Sequence, residues 1–106
     1  MELKIFWSQI AEDKLQDIFN YYKFKAGLKT AKKIISQIVN KTDLLEKQPQ
    51  IGVNEPLLIG RQQEFRYLIS TNYKIIYYIN QEMQRIVVAN VFDTRQNPEK
   101  IKETES

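Results

Sequence analysis

The sequence of 106 residues contains no cysteine and no histidine. Without cysteine the chain cannot form disulfides, thiolate nucleophiles, cysteine-ligated zinc sites or iron–sulfur clusters. Without histidine it cannot form a Ser-His-Asp triad or a histidine metal site, and it lacks the usual general base near neutral pH. Any catalysis would therefore depend on Arg, Lys, Tyr, Asp, Glu or a hydroxyl group, and we expect neither a metal ion nor another cofactor.

Glycine and proline are also scarce, with three residues of each, while 42% of the residues are hydrophobic. This composition does not favour a long disordered segment, and the length is typical of one domain with its own core. No apolar run approaches the ~20 residues that span a bilayer, and the charged start of the chain is unlike a signal peptide. We therefore expect one domain over residues 1–98, a polar tail over residues 99–106, and a cytoplasmic location without membrane contact.

The positive charge is concentrated in one segment of the chain. Residues 23–47 contain seven lysines against Asp43 and Glu46, so this segment carries +5 where the whole chain carries +3. Such a segment can attract nucleic acid or an acidic protein, but it is also typical of a solvated helix face. No aromatic residue lies among the lysines of residues 29–41 to stack on bases, so a simple nucleic-acid-binding module is the weaker interpretation.

The first half of the sequence predicts a strand followed by two helices. Apolar residues alternate over 3–7, which is typical of a short strand. Ser8 is a suitable N-cap for a helix that runs to about Phe24 and breaks at Gly27. A second helix is predicted over residues 28–47, and two helices joined so tightly should pack as an antiparallel hairpin.

The second half predicts a loop over residues 51–60 and then three strands, over residues 64–69, 73–79 and 85–92. Short turns between them, one formed by residues 70–72, indicate antiparallel pairing. The architecture is therefore an α+β two-layer β-α-α-β-β-β domain, with the helical hairpin packed on one face of a mostly antiparallel sheet. Since the two later strands are apolar at nearly every position, the other face should carry an exposed apolar patch or a protein partner.

Several short motifs follow this order of elements. In chain order they are Trp7-x-x-x-Ala11, Tyr21-Tyr22, Pro49-x-x-Gly52, Phe65-Arg66-Tyr67-Leu68, Tyr73-Lys74-Ile75-Ile76-Tyr77 and Val91-Phe92-Asp93-Thr94-Arg95-Gln96-Asn97-Pro98. Over residues 3–98 their order and spacing resemble the RelE/ParE superfamily, the toxins of type II toxin–antitoxin modules. The resemblance implies a small basic toxin that is neutralised by a cognate antitoxin within a toxin–antitoxin hetero-oligomer.

The resemblance also implies two different cellular targets. RelE-like members cut mRNA in the ribosomal A site, whereas ParE-like members poison DNA gyrase and cleave no RNA. Cleavage of the RelE type needs a group that accepts the 2′-hydroxyl proton, cations for the phosphate and a donor to the leaving oxygen. Three cations match basic positions of the superfamily and are the candidate catalytic or target-binding residues, with three auxiliary candidates beside them: Arg66, Lys74 and Arg95, then Tyr73, Tyr77 and Asp93.

Two departures from the RNA-cleaving pattern favour the ParE-like branch. The paired lysines that many RNA-cleaving members carry on the strand at residues 65–67 are absent, and no tyrosine follows Arg95 to supply the leaving-group donor. The favoured function is therefore inhibition of DNA gyrase by binding, with the turn at Arg95 and the loop over residues 54–63 as contacts. The alternative is a RelE-like, ribosome-dependent mRNA endoribonuclease that needs no metal.

The same candidate residues also have structural interpretations, which the sequence leaves open. Arg66 can pair with Glu64, Arg95 can pair with Asp93 across its turn, and Lys74 can simply be solvated on a strand face. The tyrosines of the strands can be cross-strand packing residues. If the toxin interpretation holds, an acidic or amphipathic antitoxin should bind the apolar sheet face or a groove and bury Arg66 or Arg95.

Overall fold

Two long helices and five strands make up the regular structure of residues 2–105, which are the residues that the computed structural model describes. The predictions for Met1 and Ser106 lie outside this range. The elements are β1 (Lys4–Trp7), α1 (Gln9–Ala26), α2 (Leu28–Asp43), β2 (Val53–Asn54), β3 (Arg66–Ser70), β4 (Tyr73–Asn80) and β5 (Arg85–Asp93). Short 3₁₀ helices are formed by Leu44–Glu46, Pro56–Leu58 and Pro98–Glu103.

Local sequence signals set the ends of the helical hairpin. The Ser8 hydroxyl accepts a hydrogen bond of 3.1 Å from the Ala11 backbone N–H, and this bond caps α1. Gly27 ends α1 with φ of +99°, a backbone conformation that L side chains rarely adopt. The predicted hairpin is confirmed, but α2 ends at Asp43 and is shorter than predicted because the chain tightens into a 3₁₀ turn.

The strands form one sheet in the order β1-β5-β4-β3-β2. Neighbouring strands are antiparallel except β1, which runs parallel to β5 with Lys4 opposite Arg85. The predicted α+β architecture, a helical hairpin on a mostly antiparallel sheet, is therefore confirmed. The short strand β2 was not predicted, since its two residues lie within the segment expected to be a loop.

The helices cover one face of the sheet, which we call the helix face. Its core contains buried residues from the helices and from alternate positions of the strands, including Ala11, Ile38, Ile75, Tyr77 and Val88. Side chains on a strand alternate between the two faces. Leu68 and Tyr77 belong to this core, and since Arg66 is two residues from Leu68 and pairs with Tyr77, Arg66 also lies on the helix face.

The opposite face of the sheet, which we call the far face, is covered by the chain itself. A second core forms there from strand residues together with Leu58, Phe65 and Ile101, which come from the connecting loop and from the C-terminal segment. The apolar residues of β4 and β5 are thus buried on both faces, as their composition indicated. The partner or exposed patch expected on this face is not needed to cover its centre.

The C-terminal segment is held by specific contacts. Ile101 is 1% exposed, and the Thr104 hydroxyl accepts a hydrogen bond of 3.0 Å from the Asn90 side-chain amide. Arg61 donates to the Thr104 carbonyl at 2.8 Å and also to the Lys102 carbonyl. The tail that the sequence predicted to be polar therefore includes a 3₁₀ turn that covers part of the far face.

Candidate functional site

Arg66 is engaged with its own chain on the helix face. Its guanidinium donates to the carbonyl of Gly52 at 2.8 Å, to that of Gln50 at 3.3 Å and to the Glu64 carboxylate at 2.9 Å. Its side chain is 21% exposed. The pairing with Glu64 was one of the structural interpretations. Through the two carbonyl contacts, Arg66 also holds the turn that precedes β2.

Tyr77 binds the same turn from the core of the helix face. Its ring is fully buried, and its hydroxyl accepts from the Gly52 N–H at 2.9 Å while donating to the Pro49 carbonyl at 2.8 Å. A Cβ atom on Gly52 would lie 2.5 Å from that hydroxyl, so only glycine fits this close approach. The Pro49-x-x-Gly52 motif thus contains both residues of this turn that the Tyr77 hydroxyl binds. Burial raises the Tyr77 pKa, so the phenol stays protonated near neutral pH.

Lys74 lies on the far face and is not simply solvated. Its ammonium is 2.8 Å from a carboxylate oxygen of Glu55 and 4.2 Å from the centroid of the Tyr67 ring. Glu55 is 1% exposed, while the Lys74 side chain is 20% exposed. The second oxygen of Glu55 accepts from the Leu57 N–H at 3.2 Å, which fixes the 3₁₀ turn of the loop. Lys74 therefore neutralises a buried carboxylate.

Arg95 extends from the turn after β5 and is bound by Asp93. Its Nε and Nη2 atoms donate to the two oxygens of the Asp93 carboxylate at 3.0 and 2.8 Å. Asp93 also accepts from the Arg95 backbone N–H at 2.9 Å and from the Asn72 side-chain amide at 3.1 Å. These hydrogen bonds, that from the Arg95 side chain above all, lower the Asp93 pKa to about 2 and raise the pKa of Arg95. The Arg95 side chain nevertheless remains 57% exposed.

Tyr73 lies near this pair, at the start of β4. Its hydroxyl donates to the Tyr22 hydroxyl at 3.4 Å. Burial, and then the interactions with Tyr22 and Asp93, raise the Tyr73 pKa above its ordinary value. The phenol stays protonated near neutral pH, so Tyr73 is not a general base there.

The structure does not bring the three candidate cations together. Arg66 is on the helix face, Lys74 is on the far face, and Arg95 lies in the turn beyond the end of β5. Each already has a carboxylate partner. They therefore do not form a joint phosphate-binding cluster.

Arg95 borders an open pocket of about 450 Å³ between α1 and the ends of β4 and β5. Lys14, Ile18 and Tyr21 line it from α1, and Tyr73 lines it from β4. Of the predicted site residues, this pocket brings together Tyr73, Asp93 and Arg95. A mixed ionic and apolar lining of this kind is suited to binding.

Sequence analysis missed two residues that matter for these sites. Glu55 stood in a segment expected to be an irregular loop, and only its position between Asn54 and the apolar residues of a 3₁₀ turn could have drawn attention to it. Tyr21 was quoted as part of a motif but not as a surface residue, although it is 48% exposed. Its place on α1, four residues after Asp17 and seven after Lys14, is the signal that puts all three on one side of the helix.

Two further findings describe the chain as a whole. Within the described residues, no three acidic side chains come close enough together to hold a metal ion. In the same range, no helix is both long enough and apolar enough to cross a membrane.

A helical hairpin on one face of a mixed sheet, with a basic turn beyond the last strand, is the arrangement that the resemblance to the RelE/ParE superfamily implied. The family described as "ParE toxin of type II toxin-antitoxin system, parDE" matches residues 5–98. Since this match covers most of the chain, the protein belongs to the ParE toxin family and is the toxin of a type II toxin–antitoxin system. A toxin of this type is paired with a cognate antitoxin.

Two solved structures share this fold. One, from P. aeruginosa, is described as a chromosomal ParDE TA system; it is 17% identical, covers 87% of this chain and 96% of its own, and gives a TM-score of 0.72. The other is a mutant of the E. coli toxin RelE in the free state, 17% identical over 86% of this chain and 82% of its own, with a TM-score of 0.58. At this identity the likeness concerns the fold. A comparison with curated protein sequences gave no significant match.

Proposed function

We propose that this toxin acts by binding DNA gyrase and stabilising its cleaved DNA state, and that it cuts no RNA itself. The observation that carries the proposal is the separation of Arg66, Lys74 and Arg95, each of which is already bound to a carboxylate. Phosphoryl transfer depends on positioning several charged groups around one phosphate. Their separation supports a binding function over a catalytic one.

The tyrosines support the same conclusion. Acceptance of the 2′-hydroxyl proton requires a group with a pKa near the working pH. The pKa values of Tyr73 and Tyr77 are both raised, chiefly by burial. The Tyr77 hydroxyl is also occupied by Gly52 and Pro49. Neither tyrosine is therefore suited to act as the base that replaces histidine.

The exposed parts of the candidate site are the expected contacts with gyrase. The turn at Arg95 presents a cation beside an open pocket. The loop over residues 54–63 presents Ile59, whose side chain is 77% exposed. Arginine contributes strongly to protein interfaces, and the buried core of an interface is apolar. Because gyrase and ribosomes are both cytoplasmic, the toxin should act in the cytoplasm.

The cognate antitoxin is the second expected partner. The toxin carries +3 overall and +5 over residues 23–47. An acidic or amphipathic antitoxin segment therefore gains electrostatic attraction across this surface. A stable toxin–antitoxin hetero-oligomer should form and suppress toxicity.

Two assays with the purified chain test the proposal. In a supercoiling assay with gyrase and plasmid DNA, micromolar toxin should inhibit supercoiling and cause linear DNA to accumulate. In a second assay with programmed ribosomes, mRNA should remain intact. Unaffected gyrase together with cleaved mRNA, and loss of that cleavage in Arg66→Ala, would instead establish the alternative ribosome-dependent endoribonuclease.

A further inference from the structure

The pocket beside Arg95 is bounded by two independent parts of the fold. Lys14, Asp17 and Tyr21 come from α1, and Val91 and Tyr73 come from β5 and β4. Its cavity volume of about 450 Å³ lies within the range of about 300–1,000 Å³ that is common for ligand pockets. The helix core contributes to its floor, since the side chain of Ile18 is largely buried.

Arg95 enters this pocket with a fixed orientation. Two of its nitrogens are bound to Asp93, and Asp93 is itself held by Asn72. The third nitrogen, Nη1, has no hydrogen-bond partner among the described residues. An arginine held in this way has already lost much of its rotamer freedom, so a ligand that binds its free edge loses less entropy. Guanidinium groups bind carboxylates and phosphates in a planar, directional manner.

The charge balance of the pocket discriminates between these two anions. Lys14 and Arg95 face Asp17 and Asp93, so the four lining charges sum to zero. Nucleic acids are bound by surfaces with a clear excess of positive charge, and this lining does not provide one. The Tyr21 ring, at a residue that is 48% exposed, adds a place for a side chain without charge, and the buried Val91 lies beneath the pocket. The lining is therefore suited to a protein segment that carries a carboxylate beside an aliphatic or aromatic side chain.

We propose that this pocket, lined by Lys14, Tyr21, Val91 and Arg95, is the primary docking site of the toxin's target protein. The target places a carboxylate on the free edge of Arg95 and a neighbouring apolar side chain against the exposed ring of Tyr21. The inference rests on the proposed function in one respect, namely that the toxin acts by binding a protein. It does not require that protein to be gyrase.

Of the two expected protein partners, the target protein fits this pocket better than the antitoxin does. An acidic antitoxin gains most from the lysine-rich segment of residues 23–47, whose charge is +5. The pocket, by contrast, is neutral in sum and offers one oriented cation next to apolar surface. Arginine and tyrosine are enriched among the few residues that dominate binding energy at protein interfaces. Such a pocket favours a partner that inserts one carboxylate and one apolar side chain over a partner that presents a broad charged surface.

Four single variants and two readouts test this site. Arg95→Ala and Tyr21→Ala remove pocket groups, while Lys100→Ala and Met83→Ala remove an exposed cation and an exposed apolar side chain outside both the pocket and the lysine-rich segment. Growth arrest after controlled induction measures toxicity, which requires target binding whatever the target is. Co-purification with the cognate antitoxin, encoded by the neighbouring gene, measures the other interaction. Thermal unfolding of each purified variant shows that it is folded.

The pocket variants should need about tenfold or more toxin to stop growth, as is typical of truncated hot-spot residues, while the two controls should stay within about twofold. All four should still bind the antitoxin. Pocket variants that remain fully toxic would overturn the proposal. So would variants that remain toxic but lose the antitoxin, because the pocket would then belong to that partner. Binding of the toxin to DNA alone, lost in Arg95→Ala, would favour a phosphate ligand and would also overturn it.

Asp93 is a positioning residue in this scheme, and a double-mutant cycle tests its role. Asp93→Ala should weaken toxicity, but in the Arg95→Ala background it should cause little further loss, because it acts through that guanidinium. Independent losses would show a separate structural effect and contradict the positioning role. If the wild type neither affects purified gyrase nor cuts mRNA on programmed ribosomes, while Arg95→Ala and Tyr21→Ala abolish growth arrest, the gyrase target is wrong and the docking pocket stands.

Discussion

The hydroxyl of Tyr77 binds the backbone of Gly52 across the helix face of the sheet, at 2.9 Å, and the absence of a side chain on Gly52 makes this contact feasible. The same hydroxyl donates to Pro49, so two backbone groups of one turn depend on a single phenol. Arg66 binds that turn from the neighbouring strand. Tyr77 and Arg66, which both lie in motifs that resemble the superfamily, thus hold one turn of the chain in place.

Removal of this phenol should destabilise the fold. Tyr77→Phe leaves the buried Gly52 N–H and the Pro49 carbonyl without their partner, and we expect a loss of about 1–3 kcal/mol in the free energy of unfolding. Urea unfolding measures it. Tyr78→Phe is the matched control, since the Tyr78 hydroxyl makes no hydrogen bond to the described residues, and should change stability by about 0.5 kcal/mol or less. Equal losses in the two variants would contradict the assignment.

The buried ion pair on the far face should be more costly to break than an exposed one. Lys74→Met leaves the Glu55 carboxylate, which is 1% exposed, without its cation, and should cost about 2 kcal/mol or more. The exposed pair between Lys102 and Glu99 provides the comparison. Lys102→Met should cost less than about 1 kcal/mol. Chemical denaturation of both variants checks this order, and a larger effect at Lys102 would refute it.

The C-terminal segment should contribute to stability through Ile101. Ile101→Ala removes a side chain that is 1% exposed within the far-face core, and we expect a loss of about 2–4 kcal/mol. Ile59→Ala, at a position that is 77% exposed, is the same chemical change without a cavity. It should alter the free energy of unfolding by about 0.5 kcal/mol or less. If the C-terminal segment did not pack on the far face, Ile101→Ala and Ile59→Ala would change the free energy of unfolding by the same amount.

The Asp93–Arg95 pair predicts a pH dependence at acid pH. The folded-state pKa of Asp93 is about 2, below the ordinary 3.8. Its contribution to stability is therefore complete above the ordinary value and is lost as the pH falls towards 2. The stability difference between wild type and Asp93→Asn should shrink between pH 5 and pH 2. In an Arg95→Ala background this trend should largely vanish, because hydrogen bonding from that side chain is the first cause of the lowered pKa. A difference that stays constant with pH would exclude the linkage.

The elements that could be predicted from the sequence depend on local signals. Ser8 and Gly27 mark the ends of α1 because a cap and a helix stop act within a few residues. The three long strands follow from apolar runs and short turns. The strand β1 was also predicted, but its parallel pairing with β5 was not, since β5 lies some eighty residues further along the chain.

The candidate site was less predictable because its geometry depends on strand register. A turn over residues 70–72 would place Arg66 and Lys74 on the same face of the hairpin. In the structure Ser70 pairs with Tyr73, so the turn is one residue shorter. A shift of one residue moves every side chain of one strand to the other face, and the two cations therefore separate. Glu55, the partner of Lys74, could not be predicted because it comes from a loop 19 residues earlier.

The position of β1 also has a consequence for biosynthesis. A chain that is made from its amino end offers Lys4–Trp7 first, but their only strand partner within the described residues, β5, is completed at Asp93. Until then the hairpin of α1 and α2 has no finished sheet to pack against. A truncated product that stops within β5 should therefore be degraded rather than act as a partial toxin. Active toxin should form only after nearly all of the mRNA has been translated.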